Sequence, residues 1–173
     1  FFNYSAGGGH VETIRFSDNS TYDLDGQSWT LTGTSGADDL WGAHGNMSTG
    51  ADTIYGGDGN DTIHAGAPNE SDYAANTLYG QGGNDEIYGD YGADTIYGGA
   101  GGDVIEGGAG NDEIYMGAGD DSVDDTTGNE TYHYTSGHDL IDDNAGTDEI
   151  NLDAAWNGAS PVYNKIGNDL QIW

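Results

Sequence analysis

The sequence predicts an all-β chain wound as a flattened, right-handed solenoid in which two parallel sheets face each other. Two observations carry that prediction: a nine-residue phrase repeated in register, and an apolar residue at the same phase of each copy. The phrase occurs as GGDGNDTIH from Gly56, GQGGNDEIY from Gly80, GDYGADTIY from Gly89, GGAGGDVIE from Gly98, GGAGNDEIY from Gly107 and MGAGDDSVD from Met116. A period this short governs the architecture. Its first six residues suit a tight turn, because glycine tolerates the positive φ that a residue with a Cβ resists. Its last three suit a short strand whose middle residue, such as Ile63, points inward. Nine residues then make half a coil, and successive coils stack at about 4.8 Å.

Composition gives this repeat a condition. The 173 residues include 31 Asp and Glu against two Lys and Arg, a formal net charge of -29, with 32 glycines and two prolines. High charge with low hydrophobicity is a signature of disorder, whereas Ile, Val and Tyr at a fixed phase belong to a folded repeat. Both hold if the chain is disordered without a metal and folded with one. Arg15 and Lys165 are the only fixed cations, so neither nucleic acid nor an anionic membrane surface is expected as a partner. No apolar run approaches membrane-spanning length, so no transmembrane segment is expected. The absence of Cys removes any disulfide framework. The chain opens at Phe1 and reads as part of a longer or processed product.

The sixth position of the phrase supplies the chemistry. Counting half-coils sorts these residues into two columns: Asp38, Asp61, Asp85, Asp103, Asp121 and Asp139 on one side, and Asp52, Asn76, Asp94, Asp112, Glu130 and Asp148 on the other. Carboxylates stacked about 5 Å apart repel by about 3 kcal/mol per pair at an effective dielectric of about 20. A divalent ion between turns reverses the sign. The donors on offer are carboxylates and turn carbonyls, all hard oxygens, with no recurring Cys or His. That donor set selects Ca2+ over zinc or copper, and over magnesium because calcium tolerates a carbonyl-rich shell.

These residues resemble the RTX family, the repeats-in-toxin or hemolysin-type calcium-binding repeats, over about residues 33–151. The resemblance implies a parallel β-roll with Ca2+ between turns and β-strand caps at the ends. It also implies type I secretion in an unfolded state and folding on extracellular calcium. In the family, sixth-position Asp residues of two stacked turns hold each ion together with loop carbonyls. Carried onto this chain, the best sites are Asp61/Asp85, Asp85/Asp103, Asp103/Asp121 and Asp94/Asp112, with Asp38, Asp52 and Asp58 as further metal positions. Gly56, Gly83, Gly89, Gly99, Gly101, Gly108, Gly110, Gly117 and Gly119 are the matching loop glycines. About six to eight ions are expected. Asn76 weakens its neighbouring sites, and DTTGNETYH, which carries Glu130 and lacks the glycine pair, is expected to lose regular binding.

In chain order, residues 1–32 read as N-terminal capping strands and 33–133 as the calcium roll, while 134–173 hold degenerate repeats and a C-terminal cap. Insertions near 43–50 and 67–75 fall in turns on the same side of adjacent coils, so they are expected to touch. Outward ninth positions place Tyr55, Tyr79, Tyr97, Tyr115 and His133 in one rank, and Trp41, His64, Tyr88, Glu106 and Asp124 on the opposite sheet. A tyrosine rank stabilises a sheet by itself, and it is also a candidate partner surface for a carbohydrate, a cell-surface polymer or a neighbouring domain. The segment HVETIRFSDNSTYDL and the terminal SPVYNKIGNDLQIW read as two parts of one flanking unit, divided between the ends of a tandem copy. Strand 11–16 should therefore lie near strands 162–165 and 169–173, within one chain or between copies.

Catalysis is not expected. His10, His44, His64, His133 and His138 form no ligand or triad spacing, and no GxSxG is present. The function expected is a structural or adhesive module of a secreted or cell-surface bacterial protein, such as a repeat adhesin or surface layer. The alternative is an accessory calcium-binding module of a secreted protease, lipase or alginate epimerase, or of an RTX toxin.

Overall fold

The computed structural model describes residues 28–42, 50–66 and 73–152, together with the backbone of four short strands nearer the ends. Two of these, β1 (Thr13–Arg15) and β2 (Thr21–Asp23), pair antiparallel with each other. There follow β3 (Thr30–Thr32), β4 (Asp39–Trp41), β5 (Thr53–Asp58), β6 (Thr62–His64), β7 (Thr77–Gly82) and β8 (Glu86–Tyr88). Next come β9 (Thr95–Ala100), β10 (Val104–Glu106), β11 (Glu113–Ala118), β12 (Ser122–Asp125), β13 (Thr131–Tyr134), β14 (Asp139–Asp143) and β15 (Glu149–Leu152). The last two are β16 (Tyr163–Ile166) and β17 (Asp169–Ile172). No helix occurs among the described residues.

From β3 onward the chain alternates between sheets. Odd strands β3 to β15 form one parallel sheet, and even strands β4 to β14 form the other. This is the parallel β-roll that the nine-residue period predicts. Registers repeat the sequence phase: Thr77 pairs with Thr95 and Tyr79 with Tyr97, eighteen residues apart, while Thr53 pairs with Thr77 across the second insertion. Both insertions leave an even strand for an odd one, after β4 and after β6, which puts them on one side in adjacent coils. Their expected contact lies outside the described residues.

The core is the eighth position of each repeat. Ile54, Leu78, Ile96, Ile114 and Tyr132 stack along the odd sheet. Ile63, Ile87, Ile105, Val123 and Ile141 stack along the even one. All ten are buried. Each aliphatic side chain so buried contributes about 1.5–3 kcal/mol.

One local expectation changes. The even strands β6, β8 and β10 have three residues, but β5, β7, β9 and β11 have six. On the odd sheet backbone pairing continues into the turn, with Gln81 opposite Gly99 and Gly82 opposite Ala100. The second and fourth glycines make this possible: Gly99 and Gly101 have φ of 117° and 133°. Gln81 and Asp90 adopt φ of 76° and 75° at the second position without being glycine.

Parallel pairing runs on past 133, from β12 to β14 and from β13 to β15, despite the degenerate repeats. Beyond it β17 adds antiparallel to β14, and β16 to β17. This hairpin covers the open edge of the even sheet. Among the described residues β1 and β2 pair with each other, and the expected neighbourhood of the two flanks lies largely outside the described residues.

The turn geometry makes a sharp contrast between two glycines. A Cβ on Gly101 would run into the carbonyl oxygen of Gly83, at a φ that L residues avoid, whereas nothing lies within 4 Å of one on Gly36. Gly101→Ala is expected to destabilise the calcium-loaded fold by more than about 2 kcal/mol, and Gly36→Ala by under about 0.5 kcal/mol. Urea unfolding in saturating calcium distinguishes the two, and equal effects would refute the assigned turn packing.

Candidate metal centre

The two predicted columns of sixth-position residues form hydrogen-bonded ladders. The backbone N–H of Asp38 donates to Asp61 Oδ1 at 2.8 Å, Asp61 to Asp85 at 2.9 Å, and Asp85 to Asp103 at 2.9 Å. Asp103 donates to Asp121 at 2.9 Å and Asp121 to Asp139 at 3.0 Å. On the other side Asp52 donates to Asn76 Oδ1 at 2.7 Å, Asn76 to Asp94 at 2.7 Å, and Asp94 to Asp112 at 2.8 Å. The repeat period itself builds these ladders, because each turn sets an amide beneath the carboxylate of the next.

Only half of each carboxylate is satisfied this way. Asp61, Asp85, Asp103, Asp112, Asp121 and Asp139 are buried, and their Oδ2 atoms have no hydrogen-bond donor. Burying a bare carboxylate oxygen costs several kcal/mol unless a charge meets it. Burial accordingly pushes the carboxyls of Asp85, Asp103, Asp112, Asp121 and Asp139 up to about 6. For Asp85, Asp103 and Asp121 the neighbouring ladder carboxylates add to that rise.

The first-position glycines show where the free oxygens point. A Cβ on Gly56 would lie 2.6 Å from Asp61 Oδ2 and 2.6 Å from the carbonyl oxygen of Gly80 in the next turn. Gly80 faces Asp85 Oδ2 and the Gly98 carbonyl in the same way, and Gly98 faces Asp103 Oδ2 and the Met116 carbonyl. On the other side Gly89 faces Asp94 Oδ2 and the Gly107 carbonyl. Carboxylate and carbonyl oxygens thus converge on a space that only glycine leaves open. An all-oxygen donor set with unpaired anionic members fits a hard divalent cation, and calcium best.

The sequence-predicted residues divide on inspection. Asp61, Asp85, Asp94, Asp103 and Asp112 lie in the buried columns beside first-position glycines, and Asp121 lies buried in its column with Met116 at the first position of its repeat. The carbonyls of Gly83, Gly99, Gly101 and Gly110 face the backbone of Gly101, Gly117, Gly119 and Gly128 in the following turns, and Gly108 sits against the carbonyl of Asp90. Asp52 accepts from the Trp29 amide at 2.7 Å. Asp38, at the open end, is only half-buried, and its Oδ2 is held by the amide and hydroxyl of Thr34. Asp58 is exposed at the third position and belongs to neither buried column.

Asn76 keeps its place in the hydrogen-bonded ladder, because its amide oxygen accepts as a carboxylate would, while its Nδ2 donates to the Ala74 carbonyl at 3.4 Å. What it removes is charge. The hydrogen-bonded column breaks instead at Glu130, whose oxygens accept no hydrogen bond, though its own amide donates to Asp148 Oδ1 at 3.1 Å.

One feature went unread in the sequence. Fifth-position residues form an outer ladder: Asn84 N donates to Asn60 Oδ1 at 3.0 Å, Gly102 N to Asn84 Oδ1 at 3.0 Å, and Asn129 N to Asn111 Oδ1 at 3.0 Å. The recurrence of Asn at that phase was the available signal. The opposite sheet also stacks aromatics, with Trp41 on His64 at 3.6 Å and His64 on Tyr88 at 4.7 Å. The predicted tyrosine rank forms in full: Tyr55, Tyr79, Tyr97 and Tyr115 stack at 4.5–4.7 Å, and His133 extends the rank at 4.0 Å.

A parallel roll whose turns gather oxygen donors around buried carboxylates defines a calcium-binding β-roll. The family model for the RTX calcium-binding nonapeptide repeat matches four times, at residues 30–46, 48–67, 71–105 and 88–123. The chain belongs to that family. A search of curated proteins gave no significant match.

The raised carboxyls set a pH dependence. Unfolded carboxyls titrate at about 4, so between that value and about 6 the metal-free folded state binds more protons than the unfolded one. This protonic stabilisation is complete below about 4 and is lost as pH rises through about 6. In chelator, far-ultraviolet circular dichroism should therefore show more β-structure at pH 5 than at pH 7. Protons and calcium compete for the same oxygens, so the calcium affinity of the folded state should fall over the same fall in pH. A metal-free spectrum identical at both pH values would contradict this.

Proposed function

We propose that this chain is a structural or adhesive module of a secreted or cell-surface bacterial repeat protein, without catalytic activity, folded by the calcium it meets outside the cell. The observation that carries the reading is the unbroken buried column Asp61, Asp85, Asp103, Asp121, whose Oδ2 atoms lack any donor from the protein. At low calcium such a column repels itself, and a chain of net charge -29 stays extended. An extended chain suits export through a narrow channel, as in type I secretion, and millimolar calcium outside then stiffens it. Six to eight ions along the turns would neutralise the columns.

The faces of the roll support a partner role. The tyrosine rank is half-buried and its rings stack nearly parallel, with interplanar angles of 5–11°. Stacked rings with outward edges suit the apolar faces of a sugar polymer or a neighbouring domain. The flanks at either end, which read as two parts of one unit, suit contacts between successive copies.

Circular dichroism in EGTA, and again after calcium is restored to millimolar concentration, tests the reading. The expected result is loss of β-signal in EGTA and full recovery with calcium. A spectrum unchanged by EGTA would overturn the folding-switch function.

A further inference from the structure

The repeat at 125–133, DTTGNETYH, departs from the phrase at three positions: Asp125 and Thr126 stand where the glycine pair belongs, and Glu130 stands where the sixth Asp belongs. Two of these changes, Asp125 and Glu130, add carboxylates. The structure shows what the pair does.

At Gly56, Gly80, Gly89 and Gly98, the space a Cβ would fill is faced by one sixth-position Oδ2 and by a backbone carbonyl of the next turn. At Gly107 the carbonyl is replaced. There the same space is faced by Asp112 Oδ2 and by Asp125 Oδ2. A carboxylate oxygen has taken the place of a carbonyl, which adds one negative charge to an otherwise equivalent cradle. Glu130 adds a second. Its extra methylene leaves it out of the hydrogen-bonded column, and one oxygen from each of Asp112, Asp125 and Glu130 lies within 4.8 Å of the others.

The three side chains are 2 %, 0 % and 1 % exposed. Asp112 Oδ2, Asp125 Oδ2 and both oxygens of Glu130 are buried without a hydrogen-bond partner. The second oxygen of Asp125 accepts from the Thr127 amide at 3.1 Å, which fixes the carboxylate and aims Oδ2 at Gly107. Three dry carboxylates cannot all remain ionised unaided; they need protons or a cation.

We propose that Asp112, Asp125 and Glu130 form a further divalent-cation site, at the end of the matched repeats and built from three carboxylates, which takes calcium. The site rests on calcium as the ion of the ladders. Its higher ligand charge makes it tighter than the carbonyl-rich sites above it, since charge count is one of the terms that tune calcium affinity. Glu130 also lies within 4.8 Å of Asp143 and Asp148, where Asp143 again replaces a first-position glycine. The same substitution is therefore repeated one coil on. There Tyr132 donates to Asp143 Oδ2 at 2.9 Å, so that second cluster is partly satisfied by the protein and the first is not.

Anomalous diffraction from crystals grown in calcium tests the site directly. The expected map has a calcium peak among Asp112, Asp125 and Glu130 as well as peaks along Asp85, Asp103 and Asp121. Filled ladders with no peak at the three carboxylates would overturn this site and leave the calcium roll standing; no peak anywhere would overturn both. In solution, competition against a chelator of known affinity reads the same question. Glu130→Gln should weaken one calcium at least tenfold and leave the others in place, and Asp125→Gly, which restores the repeat glycine, should do likewise. An isotherm unchanged in both variants would overturn the proposal.

Discussion

A nine-residue period cannot return an isoleucine to the core without also returning a carboxylate to the turn. The stacking that sets Ile87 beside Ile105 sets Asp85 beneath Asp103. The gain and the cost are of similar size. Each buried aliphatic contributes about 1.5–3 kcal/mol, and each carboxylate taken from water without a counter-charge costs several kcal/mol. The backbone meets part of that cost, since every ladder amide satisfies one oxygen. At Asp61, Asp85, Asp103, Asp112, Asp121 and Asp139 the remaining oxygen has no hydrogen-bond donor among the described residues. What decides the balance must come from solution.

The variations along the chain follow from this constraint. At the open end Asp38 is served by Thr34, so its carboxylate is satisfied by the protein. Beside the second insertion Asn76 keeps the ladder bond and gives up the charge. At the far end Tyr132 hydrogen-bonds Asp143, while Asp125 and Glu130 concentrate charge instead of relieving it. The outer faces escape the constraint and carry aromatic stacks on both sheets. The calcium-binding turns and the aromatic faces are therefore separate parts of each repeat.

Much of this was legible in the sequence, because a strict repeat turns spacing into geometry. The two sheets, the core positions from Ile54 to Ile141, both carboxylate columns and the tyrosine rank all follow from the phase of the phrase. What escaped depended on atoms that spacing does not show. The division of labour between Oδ1 and Oδ2 requires knowing that an amide lies beneath each carboxylate. The ladder's continuity at Asn76 comes from an amide oxygen doing a carboxylate's work, and its break at Glu130 from one extra methylene. The longer strands of the odd sheet arise because Gln81 and Gly82 keep pairing with Gly99 and Ala100 inside what the phrase marks as turn. The degenerate repeats after 133 looked like a cap because their loops are irregular, yet β14 and β15 keep the roll's parallel register.

On the folding switch proposed above, carboxylate charge, and not the backbone fold, makes the structure depend on a cation. Asn76 shows that an amide can stand in the ladder, which gives the claim a direct test. In the variant Asp85→Asn, Asp103→Asn and Asp121→Asn, the ladder bonds remain available and three charges of the unbroken column are gone. Its far-ultraviolet circular dichroism in chelator is the measurement. The account predicts substantial β-structure without calcium, under conditions where the parent chain has little. A variant as unstructured in chelator as its parent would contradict it and place the calcium requirement outside these carboxylates.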